Sequence, residues 1–403
     1  MQPRTILVTL FAVAFVVLRS GTVIAQDASS RQALIEQEEE TKADKMTPAK
    51  AGKAEDYVAR LSDAFLSGNL HWHAFFQNAY SGGGFTVGAG YNRYVSAYNW
   101  IDVRGSITPS GYKRLEAQFF APDLFTRRGT LSVLGGWREA TKVNFFGLGQ
   151  TTSTTSLTNY GFTQPYLGAT LEVFPTRKYL DLRGDVEISQ WKQGAGSSGD
   201  SPSVETVYTP STLPGLGASP VYLHTQGTVA FDSRPARGYT RRGGYYGVTV
   251  HDYADKDSAF GFNQVDYTAI QHIPILRETW IIAMRAYAQT TYQKSGQTIP
   301  FFMMPSFSGG SDLRAYASWR LRDLNSLLLQ GEWRASINRF LEMALFYDAG
   351  KVAARRSDLD LNGMKSDYGI GFRFHGPITT PLRIELAFGN EGYVLNFSAS
   401  QVF

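Results

Sequence analysis

The chain has 403 residues, no cysteine, 40 glycines, 22 tyrosines and 26 phenylalanines. A mean hydropathy of −0.22 excludes a bundle of membrane-spanning helices, and a net charge of +4 gives no reason to invoke nucleic acid. Charged residues at 18% nevertheless fall below the roughly 25% of soluble domains, and the absence of cysteine fits an exported protein without disulfides.

Residues 1–25 read as a secretory signal. Arg4 supplies the charge, Ile6 to Leu18 the apolar core, and Val23-Ile24-Ala25 a cleavage site before Gln26. The apolar run is shorter than the ~20 residues of a spanning helix, so cleavage is favoured over anchoring. No later segment is long and apolar enough to span as a helix, which leaves a barrel as the one way to embed. Residues 26–70 read as a polar periplasmic leader, disordered or with one short helix, and contain Gln37-Glu38-Glu39-Glu40. Tyr57, Leu61 and Phe65 recur every fourth residue, so one short amphipathic helix is expected there.

Residues 71–403 read as strands. Period-two rows begin at Phe85, Val87, Ala89 and Tyr91, and continue through Leu115, Ala117 and Phe119 opposite Arg114, Glu116 and Gln118. Leu180, Leu182, Val186 and Ile188 oppose Asp181, Arg183, Asp185 and Glu187. A barrel with lipid outside and water inside satisfies both faces at once. Residues 193–219 are rich in Gly, Ser and Pro and predict a long extracellular loop. About fifteen strands are legible by alternation. An even number is expected for a bacterial barrel, with the unseen strand in 69–80 or 203–208.

The most informative stretch is Ser308-Gly309-Gly310-Ser311-Asp312-Leu313-Arg314-Ala315-Tyr316, followed by Arg320-Leu321-Arg322-Asp323. Two strands follow it. In the first, Leu327, Leu329, Gly331, Trp333 and Ala335 oppose Gln330, Glu332 and Arg334. In the second, Leu341, Met343, Leu345 and Tyr347 oppose Glu342, Phe346 and Asp348. A cationic loop therefore precedes strands whose polar faces offer carboxylates, the partners a planar guanidinium fork suits.

This half of the chain resembles the BamA/TamA family of outer-membrane barrels, the bacterial surface antigen superfamily. The family's lumen-loop tetrad, aliphatic-Arg-Gly-aromatic, reads Leu313-Arg314-Ala315-Tyr316 here. Its Arg-Phe-Arg-Asp reads Arg320-Leu321-Arg322-Asp323. Glu332 matches an inward Glu on the next strand, and Tyr347-Asp348-Ala349-Gly350 an aromatic-Asp-x-Gly signature. Asn144-Phe145-Phe146-Gly147-Leu148-Gly149 and Asp232-Ser233-Arg234 resemble further family turns. The resemblance implies an all-β, transmembrane antiparallel barrel of sixteen strands with a loop inserted in the lumen, in which Arg314 bonds Glu332, Asp348 or both. Ala315 stands where the family has Gly and resists positive φ, so a differently bent tip is expected. The family's POTRA domains are not expected, because the leader is too short and too polar for one.

The last row, Tyr393, Leu395, Phe397, Ala399, Gln401 and Phe403, ends the chain on an aromatic. It resembles the C-terminal signal by which outer-membrane barrels are recognised for assembly, with Tyr393, Leu395, Phe397 and Phe403 as its residues. His71-Trp72-His73 places two imidazoles on one strand face, but no neighbouring sequence completes a metal site. His224, His251 and His272 fall on lumen faces and read as polar wall. No serine or histidine motif announces a catalytic triad. The chain is therefore read as not an enzyme, without metal or cofactor. It is expected to be monomeric in the outer membrane, surrounded by its lipid and delivered by the barrel assembly machinery, with a periplasmic partner on residues 26–70. Its expected role is outer-membrane assembly or protein or lipid translocation. A passive pore is the alternative, and a barrel-scaffolded enzyme the last.

Overall fold

The computed structural model describes residues 71–403 except 177–178, 308–309, 377–378 and 399–401. The expected signal, leader and short helix lie outside the described residues. Seventeen strand segments make one sheet. In order they are β1 Trp72–Ala74, β2 Val87–Tyr94, β3 Trp100–Ile107, β4 Lys113–Asp123, β5 Gly129–Phe145 and β6 Thr158–Val173. There follow β7 Leu180–Gln190, β8 Lys192–Ala195, β9 Val221–Asp232, β10 Gly243–Asp255, β11 Phe262–Ile275 and β12 Trp280–Gln293. The last five are β13 Asn325–Ser336, β14 Leu341–Ala353, β15 Lys365–Phe374, β16 Leu382–Gly389 and β17 Gly392–Ser398.

Each strand pairs antiparallel with its neighbour in sequence, with one interruption. β7 and β8 both pair with β6, and on one register: Tyr166 faces Ser189 and Thr163 faces Lys192. They are one strand broken at Trp191. Pro165 lies on β6 at the break and has no N–H to give. On the opposite edge the ladder runs on, with the Trp191 N–H donating to the Pro220 carbonyl at 3.0 Å. Seventeen segments are thus sixteen strands. The strand that alternation left unplaced is β1, held to β2 with Trp72 opposite Tyr91. The other expected position, 203–208, holds a single helical turn, Val204–Val207.

The sheet curls, and the segment ahead of β2 comes near the last strand. The Ser81–Phe85 segment before β2 and Asn396–Ser398 of β17 line one cavity of about 650 Å³. Burial is inverted relative to a soluble protein. Arg314, Arg322, Arg334, Arg373 and Arg383 are among the largest fully buried side chains, while Tyr393 is 74% and Phe397 65% exposed. Apolar side chains face lipid and charged ones face the lumen. The turns at 95–99, 276–279 and 337–340 are short and share one end of the sheet with β1's start and β17's finish. The loops 196–220 and 294–324 lie at the other end. Short turns mark the periplasmic side of such barrels and long loops the extracellular side.

Those long loops fold inward. Val204, Leu213, Phe301 and Phe302 join Phe145, Tyr160, Phe162 and Trp191 in one buried apolar cluster. Residues 193–219 are thus not a free extracellular loop. Lys192–Ala195 continues a strand, and the remainder packs into the mouth because its apolar side chains have nowhere else to leave water. The C-terminal residue also departs from expectation. Tyr393, Leu395 and Phe397 share the outward row, but Phe403 does not. Its ring lies 6.1 Å from that of His272 and beneath the Arg334 guanidinium at 5.5 Å, both on the lumen side. The chain end turns inward towards a cationic wall instead of extending the outer face.

A sheet whose every interior strand is paired on both edges resists detergent until heated. Unboiled mature protein should therefore migrate differently from boiled protein on a denaturing gel. Identical mobilities would contradict the closed sheet.

Candidate functional site

The loop between β12 and β13 builds the site. Its two arms are tied by Trp319 N–H to Phe307 O at 2.9 Å and Asp323 N–H to Pro305 O at 3.1 Å. The tip bends through Tyr316 N–H to Leu313 O at 3.2 Å. Leu313, Tyr316 and Leu321 bury against Phe307, Leu328 and Val352. This apolar foot fixes the loop against the inner wall and aims Arg314 at it.

Arg314 is fully buried and meets three strands. Its Nε and Nη2 donate to the two oxygens of Asp348 on β14, at 2.6 and 2.7 Å. Its Nη1 donates to Glu332 on β13 at 2.7 Å and to Glu385 on β16 at 3.0 Å. The guanidinium lies over the Phe346 ring, 3.5 Å from its centroid. Both expected carboxylates are thus in contact with Arg314, the Asp348 pair in the bidentate form. Glu385 was not singled out in the sequence.

Glu332 is the hub beneath. It also accepts from Arg334 Nε at 2.7 Å and from Arg373 Nη2 on β15 at 2.6 Å. Arg373 reaches Glu385 at 3.2 Å, and Arg383 Nε pairs with Glu385 at 3.2 Å. Arg373, Arg383 and Glu385 all sit on the polar face of their strands, so alternation carried the signal that would have found them.

Ala315 stays out of the left-handed region that its side chain resists. It is absent from the residues with positive φ, and its N–H donates to Asp367 Oδ2 at 3.1 Å. Its methyl faces Gly389, where an added Cβ would stand 3.0 Å away. The space that a glycine would leave on the loop is supplied by Gly389 on β16.

The rest of the loop ties elements far apart in sequence. Tyr316 donates to Ser366 O at 3.2 Å. Arg320 pairs with Glu391 at 2.8 Å and donates to Thr152 Oγ1 at 2.7 Å, stacked over Phe146. Arg322 donates to Phe301 O at 2.9 Å among Phe145, Tyr160 and Trp319. Its own carbonyl accepts from Gly149 N–H at 2.8 Å. That close approach uses a backbone at φ +104° for Gly149, a conformation glycine adopts freely. Asp323 accepts from the Leu324 N–H at 2.8 Å. The 144–149 turn and the central loop, both singled out in the sequence, are therefore in direct contact.

The loop also reaches the β1–β2 connection and the last strand. Trp319 Nε1 donates to Ser81 O, ahead of β2, at 2.9 Å. Asn396 of β17 donates to the Arg314 carbonyl at 2.9 Å. No ladder joins β17 to β1 or β2 among the described residues.

The histidines take other roles. His73 pairs with Asp102 of β3 at 2.8 Å, a carboxylate the local sequence did not offer, and the His71 ring lies tilted against Tyr91 at 5.6 Å. His224 and His251 hydrogen-bond at 3.1 Å beside Tyr253. No group of three or more potential ligands able to hold a metal occurs among the described residues.

An Omp85 superfamily domain matches residues 99–403. The chain belongs to the Omp85 superfamily. It is a bacterial outer-membrane β-barrel. Among solved structures, BamA from Haemophilus ducreyi lacking POTRA domains 1–3 is similar at 13% identity and a TM-score of 0.57, covering 86% of this chain and 77% of that one. CdiB from Escherichia coli is similar at 10% identity and a TM-score of 0.52, covering 82% of this chain. This Omp85 chain spans 61% of that CdiB chain. At such identities the likeness is one of fold. No curated protein matches the sequence.

Proposed function

We propose that this Omp85 barrel works in outer-membrane assembly or in protein or lipid translocation, through an opening between its first and last strands. The observation that carries this reading is that the central loop meets both the β1–β2 connection, Trp319 to Ser81, and the last strand, Asn396 to Arg314. Such hydrogen bonds are worth about 0.5–1.5 kcal/mol each, and no ladder joins β17 to β1 or β2 among the described residues. A latch anchored by Arg314 would set how readily the seam parts. Residues 26–70 would follow the cleaved signal as a periplasmic leader and meet a partner there. Tyr393, Leu395 and Phe397 would present the outward row read during the barrel's own assembly.

The test is reconstitution. Purified barrel in liposomes should accelerate insertion of an unfolded small outer-membrane barrel or exchange of labelled lipid between leaflets. A cysteine pair locking the Phe85 region to β17 should abolish the effect until reduced. Equal rates with and without the barrel, or no effect of the lock, would defeat the reading.

A passive pore fits less well, because both mouths are filled. At the periplasmic end the turn 233–242 reaches across to the far wall. Tyr239 stacks on His375 at 4.0 Å and bonds its Nε2 at 3.0 Å. Gly238 O accepts from Thr380 at 3.3 Å, and Arg241 donates to Ser336 at 3.0 Å. Burial holds His375 below the ordinary histidine range, with Glu342 opposing and Arg241 adding to that shift. A lowered folded value means this contact is complete above the unfolded value near 6.5 and is lost as pH falls below it. Conductance in planar bilayers should be low at pH 7.5 and rise towards pH 5, and His375→Gln should remove the response. Conductance unchanged across that range would contradict the strap.

A further inference from the structure

The extracellular end of the outer wall carries a cavity of about 610 Å³ between the ends of β12 and β13 and the β14–β15 loop. Strand parity fixes which side it opens on. On β12, Arg285 and Tyr287 point into the lumen, where Tyr287 donates to Asp266 at 2.7 Å. Tyr292, of opposite parity, continues the outward row of Trp280 and Met284. Tyr292 therefore stands at the upper rim of the lipid-facing band, where aromatic girdles lie.

Arg356 packs flat on that ring, its guanidinium carbon 4.1 Å from the centroid, and Nη1 donates to the Thr291 carbonyl at 3.4 Å. Arg356 has no ion pair among the described residues, unlike the buried arginines around Glu332. Arg355 lies beside it, with its Nε on Asp358 at 3.1 Å. Ser357 donates its hydroxyl to the same Asp358 at 3.1 Å, and no acidic side chain lines the cavity itself. The groove is thus cationic, pre-formed and open at headgroup depth.

We propose that this groove binds the phosphate-bearing headgroup of an outer-leaflet lipid. A guanidinium stacked on a tyrosine keeps its remaining N–H groups in one plane, and that fork matches two phosphate oxygens. Acyl chains of the same lipid would lie down the apolar wall below Tyr292. A phosphate free in water has no reason to occupy the lipid side, and a neutral headgroup has no charge for Arg356 to meet.

Native mass spectrometry of the purified full chain in detergent tests this, with phosphatidic acid, the matching diacylglycerol and inorganic phosphate as separate probes. Wild type should retain phosphatidic acid. Arg356→Ala should weaken retention at least about tenfold, since hydrogen bonds to charged groups are worth more than the energy of one decade. Arg355→Ala should do less, and Arg356→Lys should restore part. Heat-modifiable mobility of each variant shows that its barrel is folded. Equal retention of diacylglycerol, or unaltered retention by a folded Arg355→Ala/Arg356→Ala double variant, would overturn the proposal. Displacement of the lipid by millimolar inorganic phosphate would also overturn it, by assigning the groove to the free ion.

Discussion

Glu332→Ala should destabilise the barrel by about 3–5 kcal/mol, the range for removing one partner of a buried pair. Glu332 holds Arg314, Arg334 and Arg373 at 2.6–2.7 Å, and all four side chains are excluded from water. Arg314 keeps Asp348 and Glu385 when Glu332 is lost, and Arg373 keeps Glu385 and, at 3.6 Å, Glu342. Arg334 keeps no carboxylate, because Glu332 is the one paired with it among the described residues. The variant strands a cation on the inner wall. Glu332→Gln preserves shape but not charge, so it should fall between wild type and Ala. Unfolding in detergent micelles reads the difference. A loss of less than ~1 kcal/mol, the worth of an exposed pair, would show that lumen water screens the hub.

Arg314→Ala should cost a similar ~3–5 kcal/mol, with a different signature. The change leaves Asp348, Glu332 and Glu385 facing one another and frees the loop tip from β13, β14 and β16. Proteolysis should then cut between 310 and 323 in folded protein, which the Glu332 variant should resist better because Asp348 still holds the tip. Arg314→Lys should rescue in part, since a point charge cannot make the bidentate contact with Asp348. Crossing Arg314→Ala with Asp348→Ala should show a coupling of at least about 1.5 kcal/mol, as close buried charge pairs do. Strictly additive losses would mean the two residues do not interact.

The inner and outer faces were legible because a barrel writes period two along every strand. Leu180 to Ile188 against Asp181 to Glu187 needs no tertiary information to be assigned to two faces. The short first strand was not legible. Trp72–Ala74 is three residues long, too few to show an alternation. The break at Trp191 depends on Pro165 across the ladder, a register that no local pattern states. Arg314 and two of its carboxylates could be named because their motifs lie within about forty residues of each other. Glu385 lies 71 residues from Arg314, and the seam contacts of Ser81 and Asn396 are set by closure of the whole sheet. Phe403 followed the outward parity in sequence, yet the chain end turns to His272 and Arg334. Parity holds only while a strand stays paired.

The central claim is that the Arg314 loop holds the β1–β2 connection and the last strand together. The chain has no cysteine, so spin labels at Phe85→Cys and Leu395→Cys report the seam without background. Both positions are exposed, at 74% and 53%. Pulsed electron spin resonance in lipid should give one narrow, short distance distribution with Arg314 in place. With Arg314→Ala in the same labelled chain, the distribution should broaden and move to longer distances. The same narrow distribution in both proteins would contradict the account.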